Sequence, residues 1–148
     1  MTKKGILFIS VLACMMALPL ALNAQCKQFA KNICKAGLDP YQHDGNYHAA
    51  LLIEGEEAEL YKTFYSERDY RIGVCGANNL SSIEFKVVDT RNGKVLYDNS
   101  LHEFDYKWDF NLESSQQLKI VVKVPVPDAS LEEPEEGCVA IMFGSKDD

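Results

Sequence analysis

The chain has 148 residues, enough for one domain of ordinary size. It is 47% apolar and 25% charged, a globular composition rather than a disordered one. All 22 acidic residues lie beyond position 38; without Lys3 and Lys4 the 15 basic residues fall to 13, and the net charge goes from −7 to −9. Such a chain repels polyanions, which excludes nucleic acid and anionic membrane surfaces as partners.

Residues 1–24 read as a secretion signal. Lys3 and Lys4 precede an apolar run over 6–22, and Ala24 supplies the small residue at the cut. A run of seventeen residues sits at the short limit for a membrane span, and Pro19 suits a cleavage region better than a helix. Lipidation on Cys26 would need a small residue just before it, where Gln25 stands. The expectation is a signal peptide over 1–24 and a single exported domain over 25–148, periplasmic, cell-surface or extracellular, with no later membrane span.

Cys14 leaves with the signal, and Cys26, Cys34, Cys75 and Cys138 remain. An even number in an exported domain points to two disulfides, with three pairings to choose from. Residues 26–36 are rich in helix formers, with Phe29 and Ile33 expected on one face and Gly37 as a stop. Eight residues along a helix advance about 12 Å, whereas a disulfide spans about 4.4–6.8 Å between Cα atoms. Cys26 and Cys34 are therefore expected to bridge separately to Cys75 and Cys138, in one of two arrangements. The alternative is a looped Cys26–Cys34 pair. The absence of any CxxC spacing disfavours zinc or redox chemistry at these cysteines.

Residues 39–46 are crowded with turn formers. From there the dominant period is two. Ala58, Leu60 and Lys62 alternate with Glu57, Glu59, Tyr61 and Thr63. Tyr70, Ile72 and Val74 oppose Arg71, Gly73 and Cys75, and Ile83, Phe85 and Val87 oppose Glu84, Lys86 and Val88. Asn92-Gly93 is the strongest hairpin signal, with Val95-Leu96-Tyr97 as the returning strand. Phe104, Tyr106, Trp108, Phe110 and Leu112 then form one aromatic face of a predicted strand. Gln117 to Val124 and Cys138 to Phe143 are the last two strands, separated by an acidic, proline-rich loop over 125–136. Phe85, Tyr97, Tyr106, Trp108 and Phe110 are expected in the core. The fold class is all-β: an antiparallel, jelly-roll-like β-sandwich of seven or eight strands, preceded by a short N-terminal helix.

Several segments resemble the pre-peptidase C-terminal domains of bacterial exported proteins. Arg68-Asp69-Tyr70-Arg71-Ile72-Gly73-Val74 looks like their opening strand, and residues 83–98 are similar to their central hairpin. The run from Trp108-Asp109-Phe110 to Lys123 resembles the closing strands. The chain is also similar to small secreted bacterial proteins with a Cys-rich start and a Gly-Cys-Val ending. These resemblances imply a β-sandwich without catalytic activity. Some pre-peptidase domains hold calcium through aspartates; here Ser81-Ser82-Ile83-Glu84 occupies that stretch.

Three constellations carry candidate chemistry. Asp39, His43, Asp44 and His48 have the donor types for zinc. Glu54, Glu56, Glu57 and Glu59 offer oxygen ligands for calcium, but in no EF-hand spacing. Ser100, His102 and Glu103 supply a hydroxyl, a base and a carboxylate, yet no Gly-x-Ser-x-Gly elbow accompanies them. A bland loop or solvated surface accounts for each. No cofactor is required. Tyr61 and Tyr65 are the exposed aromatics best placed for a binding surface. The expected function is a secreted, non-catalytic module that binds a protein or glycan at the cell surface or in the medium. The alternatives are a small metal- or carboxylate-dependent hydrolase and an exported inhibitor that inserts the 125–136 loop into its partner.

Overall fold

A computed structural model describes residues 24–127 and 133–146. The predicted signal peptide, but for Ala24, and residues 128–132 of the acidic loop lie outside the described residues.

Helical turns occupy 24–38, which we call α1: α-helical over 24–29, a wider π turn over Ala30–Cys34 and a 3-10 turn over Lys35–Leu38. The strands follow as β1 (Gln42–His43), β2 (His48–Ile53), β3 (Glu57–Phe64), β4 (Asp69–Gly76), β5 (Glu84–Asp89), β6 (Val95–Asp98), β7 (Lys107–Phe110), β8 (Gln116–Lys123) and β9 (Glu136–Lys146). One sheet runs β1-β9-β4-β7, with β2 continuing the β1 edge along β9; the other runs β3-β8-β5-β6.

The pairing is nested. β5 pairs with β6, β4 with β7, β3 with β8 and β2 with β9, all antiparallel. The chain is one long hairpin wound over itself, with the predicted Asn92-Gly93 turn at its tip. That winding is the expected jelly roll. The tip is a four-residue turn rather than a two-residue one. Gly93 takes φ +73°, and the Asp89 carboxylate accepts the Arg91 amide while the Asn92 side chain accepts that of Lys94. Only a residue without a Cβ takes that left-handed conformation at no cost.

Alternation fills the space between the sheets. Tyr70, Ile72 and Val74 of β4 face Phe85 and Val87 of β5, Leu118, Ile120 and Val122 of β8, and Val139, Ile141 and Phe143 of β9. Phe64, Phe85 and Phe143 are fully buried. Each stabilises the fold by up to about 3 kcal/mol through removal from water. An aromatic seam closes one open edge, where Tyr97 of β6 stacks on Trp108 of β7 at 5.2 Å and Trp108 on Phe110 at 4.4 Å. Trp108 is half-buried against the core, as expected.

The other face of the β9 sheet carries α1. Ala30, Cys34 and Leu38 pack on Ala140 and Met142, making a second small core. The buried stripe is Cys26, Ala30, Cys34 and Leu38, spaced by four throughout. An α-helix lets such a stripe drift, and a wider π turn offsets the drift. This corrects the expectation for Phe29 and Ile33: Phe29 is half-buried, whereas Ile33 is 63% exposed. The disulfides are Cys26–Cys138 and Cys34–Cys75, with Cα atoms 5.1 and 5.7 Å apart. Both staple α1 to the sheet, and the looped Cys26–Cys34 pair is ruled out.

Two further expectations need correcting, and β2 adds a strand that was not foreseen. Gly37 does not stop α1, whose last turn runs on to Leu38 before a cis Asp39–Pro40 bond. β2 shows little polar alternation, because Ala49 packs toward α1 while Ala50 and Leu52 pack on the main core. The predicted aromatic strand from Phe104 shrinks to Lys107–Phe110. Phe104 and Tyr106 leave the core, for reasons given below.

Candidate interaction surface

The residues read as a metal loop are not gathered into a ligand set. His43 pairs with Gly144 and His48 with Ile141 along β9. That odd separation turns the two rings to opposite faces of the sheet. The His43 Nδ1 accepts the Gly45 amide at 3.3 Å, so Nε2 carries the proton and donates to the Asn46 carbonyl at 3.0 Å. Asp44 accepts the Asn46 amide and the Lys62 ammonium, each at 2.8 Å. Burial raises the Asp44 pKa, but the Lys62 and Asn46 hydrogen bonds outweigh it and the net shift is downward. His48 meets the Phe143 ring edge-on at 5.6 Å; burial pushes its pKa down, against the pull of Asp44. At Asp39 it is the backbone carbonyl that is engaged, by Arg71 at 2.6 Å. Among the described residues no three His, Cys, Asp or Glu side chains stand together as metal ligands.

The acidic cluster shapes turns. Glu56 accepts the Ile53 amide, Glu54 accepts the Glu135 amide, and Glu59 pairs with Lys119 at 2.9 Å. The serine–histidine grouping also dissolves, since the Ser100 hydroxyl donates to Asp98 at 2.6 Å and His102 stacks on Tyr97 at 5.0 Å.

Tyr61 and Tyr65 are exposed, as expected. Tyr61 projects from β3 beside Lys119, with its hydroxyl 3.3 Å from Glu59. Tyr65 lies just past the end of β3, its amide donating to the Tyr70 hydroxyl at 3.1 Å. Tyr61 thus sits on a charged strand and Tyr65 just beyond its end.

A larger apolar surface lies at the opposite edge, in the segment between β6 and β7. Leu101 is 79% exposed, Phe104 42% and Tyr106 55%. Phe104 and Tyr106 wall an open groove of about 420 Å³ whose other side is the 77–83 loop. A smaller hollow of about 120 Å³ links Tyr106 to Ile33 of α1 across the Cys34–Cys75 disulfide. Phe104, Tyr106 and Ile33 thus line two hollows that meet at Tyr106.

One buried side chain builds this segment. Asn99 is fully buried; its Oδ1 accepts the Phe85 amide at 2.8 Å, and its Nδ2 donates to the carbonyls of Ile83 at 2.9 Å and Asp105 at 3.2 Å. Its own carbonyl accepts the His102 and Phe104 amides, both at 2.9 Å. Glu103 and Phe104 are forced to φ +55° and +57°, in the left-handed region. Polar–apolar alternation from 104 to 112 mimics a strand because it records only residue type. The positive φ values at 103 and 104 break the pleat, which is why Phe104 and Tyr106 face water. The only signal in the sequence was Asn99, a residue suited to turns.

No family model matches the chain, so the pre-peptidase resemblance rests on the strand pattern alone, and no curated protein matches it. Among solved structures it is similar to PliG of Aeromonas hydrophila, a periplasmic lysozyme inhibitor of g-type lysozyme. The TM-score is 0.51 at 13% identity, over 72% of this chain and 89% of that one. At that identity the likeness establishes a shared fold.

Proposed function

We propose that this protein is an exported, non-catalytic β-sandwich that acts as an inhibitor by binding a lysozyme-type cell-wall hydrolase. The observation that carries the reading is the likeness of its fold to a periplasmic lysozyme inhibitor over nearly the whole of that molecule. Two disulfides tying α1 to the sheet support an oxidising, extracytoplasmic location. Among the described residues no helix is long and apolar enough to cross a membrane. This favours the inhibitor alternative over a general envelope-binding module, while a protein rather than a glycan becomes the partner.

The test is lysis of a peptidoglycan suspension by purified goose-type and chicken-type lysozymes, with the exported, oxidised protein added at increasing ratios. Inhibition that saturates near one molecule per enzyme is expected for at least one class. Full lysis by both at a large excess of the protein would overturn the reading.

A further inference from the structure

The segment 99–106 has the physical properties of a preformed binding element, and what it displays specifies its partner. Resting on the inhibitory reading above, we infer that Phe104 is the anchor by which the protein docks, entering an apolar pocket rimmed by basic side chains on the hydrolase. Three observations lead there.

The first is conformation. Two successive residues with side chains, Glu103 and Phe104, hold positive φ, an arrangement that costs free energy and persists only when the surroundings enforce it. Asn99 enforces it with five hydrogen bonds to two stretches of chain, 83–85 and 102–105. A segment ordered before binding loses little entropy on binding.

The second is composition. Leu101, Phe104 and Tyr106 are exposed on that segment, and Ile33 extends the surface across the hollow beside Tyr106. Aromatic side chains in this setting are the usual anchors of protein interfaces. The groove beside Phe104 and Tyr106 leaves room for a side chain coming from the partner.

The third is charge. Glu103 and Asp105 flank Phe104, and both are exposed. The Lys107 ammonium lies over the Tyr106 ring at 5.4 Å. An apolar ring between two exposed carboxylates, of which Asp105 also accepts the Lys107 amide at 3.2 Å, complements on an acidic chain an apolar pocket with a basic rim, and steers the encounter toward it.

The experiment measures the affinity of purified goose-type lysozyme for the wild type and for four kinds of variant, each checked by thermal melting. Phe104→Ala is expected to weaken binding at least 30-fold, Tyr106→Ala about 10-fold, and Glu103→Lys with Asp105→Lys about 10-fold, the last with a flatter salt dependence. The fourth kind, Tyr61→Ala with Tyr65→Ala, tests the competing aromatic surface. Unchanged affinity in Phe104→Ala, or a loss confined to the Tyr61 and Tyr65 variant, would overturn the docking surface while leaving the inhibitory reading in place. A wild type that binds no lysozyme would overturn both.

Discussion

Asn99 shows how one buried amide can decide the course of a whole connection. Truncation in Asn99→Ala leaves the Phe85 amide and the carbonyls of Ile83 and Asp105 without their partners inside the fold. Each buried group left unpaired costs about 1–3 kcal/mol, so the variant should lose at least about 3 kcal/mol. Urea unfolding followed by tryptophan fluorescence of Trp108 measures it. Arg71 plays a similar part on the α1 side. Its guanidinium makes two bonds of 2.6 Å to Asp109, a third to the Asp39 carbonyl, and stacks on Tyr41 at 4.5 Å. The hydrogen bonds from Arg71 hold the Asp109 carboxyl below its ordinary pKa, against the effect of burial. A depressed folded pKa means stability that is complete above the unfolded value, near about 4, and is lost as pH falls through the folded one. The Asp109 carboxylate is 43% exposed, so water screens the pair. Asp109→Asn should therefore cost only about 1 kcal/mol at pH 7, and the difference from wild type should vanish in strong acid. Unfolding midpoints measured between pH 7 and pH 2 give the comparison.

At the scale of elements, α1 is held less by its own helical propensity than by what it is fastened to. Its buried residues are Cys26, Ala30, Cys34 and Leu38, with Phe29 half-buried beside them, and two of those four are disulfide-bonded cysteines. The bridges close separations of 112 and 41 residues. On chain entropy alone such loops contribute about 4–5 kcal/mol each, the longer one more. Replacing Cys26 and Cys138 by alanine should therefore lower unfolding stability by several kcal/mol, and slightly more than replacing Cys34 and Cys75. Denaturant midpoints of the two paired variants test the order. The sheet beneath leaves no slack for extra atoms either. A Cβ on Gly144 would stand 2.7 Å from the Cβ of Tyr41, a backbone-anchored atom that cannot swing away. Gly144→Ala should cost about 1–3 kcal/mol by overpacking, seen as a lower melting temperature.

Over the whole molecule, the nested pairing sets β6 and β7 at one edge of the two sheets, so the connection between them caps an open end of the sandwich. Loops at sandwich ends are free to carry recognition while the strands hold them still. The acidic balance of the chain acts at this scale too. If Glu103 and Asp105 steer a basic partner, the association rate should fall about tenfold between 50 and 500 mM salt, with the dissociation rate far less affected. Stopped-flow mixing with the lysozyme separates the two rates.

Much of the sandwich was legible in residue order. Period-two runs such as Tyr70–Val74 and Phe85–Val87 state which side chains face inward, because a pleated strand offers only two faces. The helical pattern over 26–36 likewise disfavoured a Cys26–Cys34 bridge on reach, and the structure ruled it out. What linear order could not convey was partnership. Which strand cysteine each helical cysteine reaches, that β2 is covered on both sides, and that Asn99 twists the start of the aromatic run out of the core all depend on residues tens of positions away. His43 and His48 are near neighbours in the chain, yet their pairing along β9 sends the rings to opposite faces. Local periodicity is written in the backbone's own geometry, whereas convergence is created only when distant strands take their register.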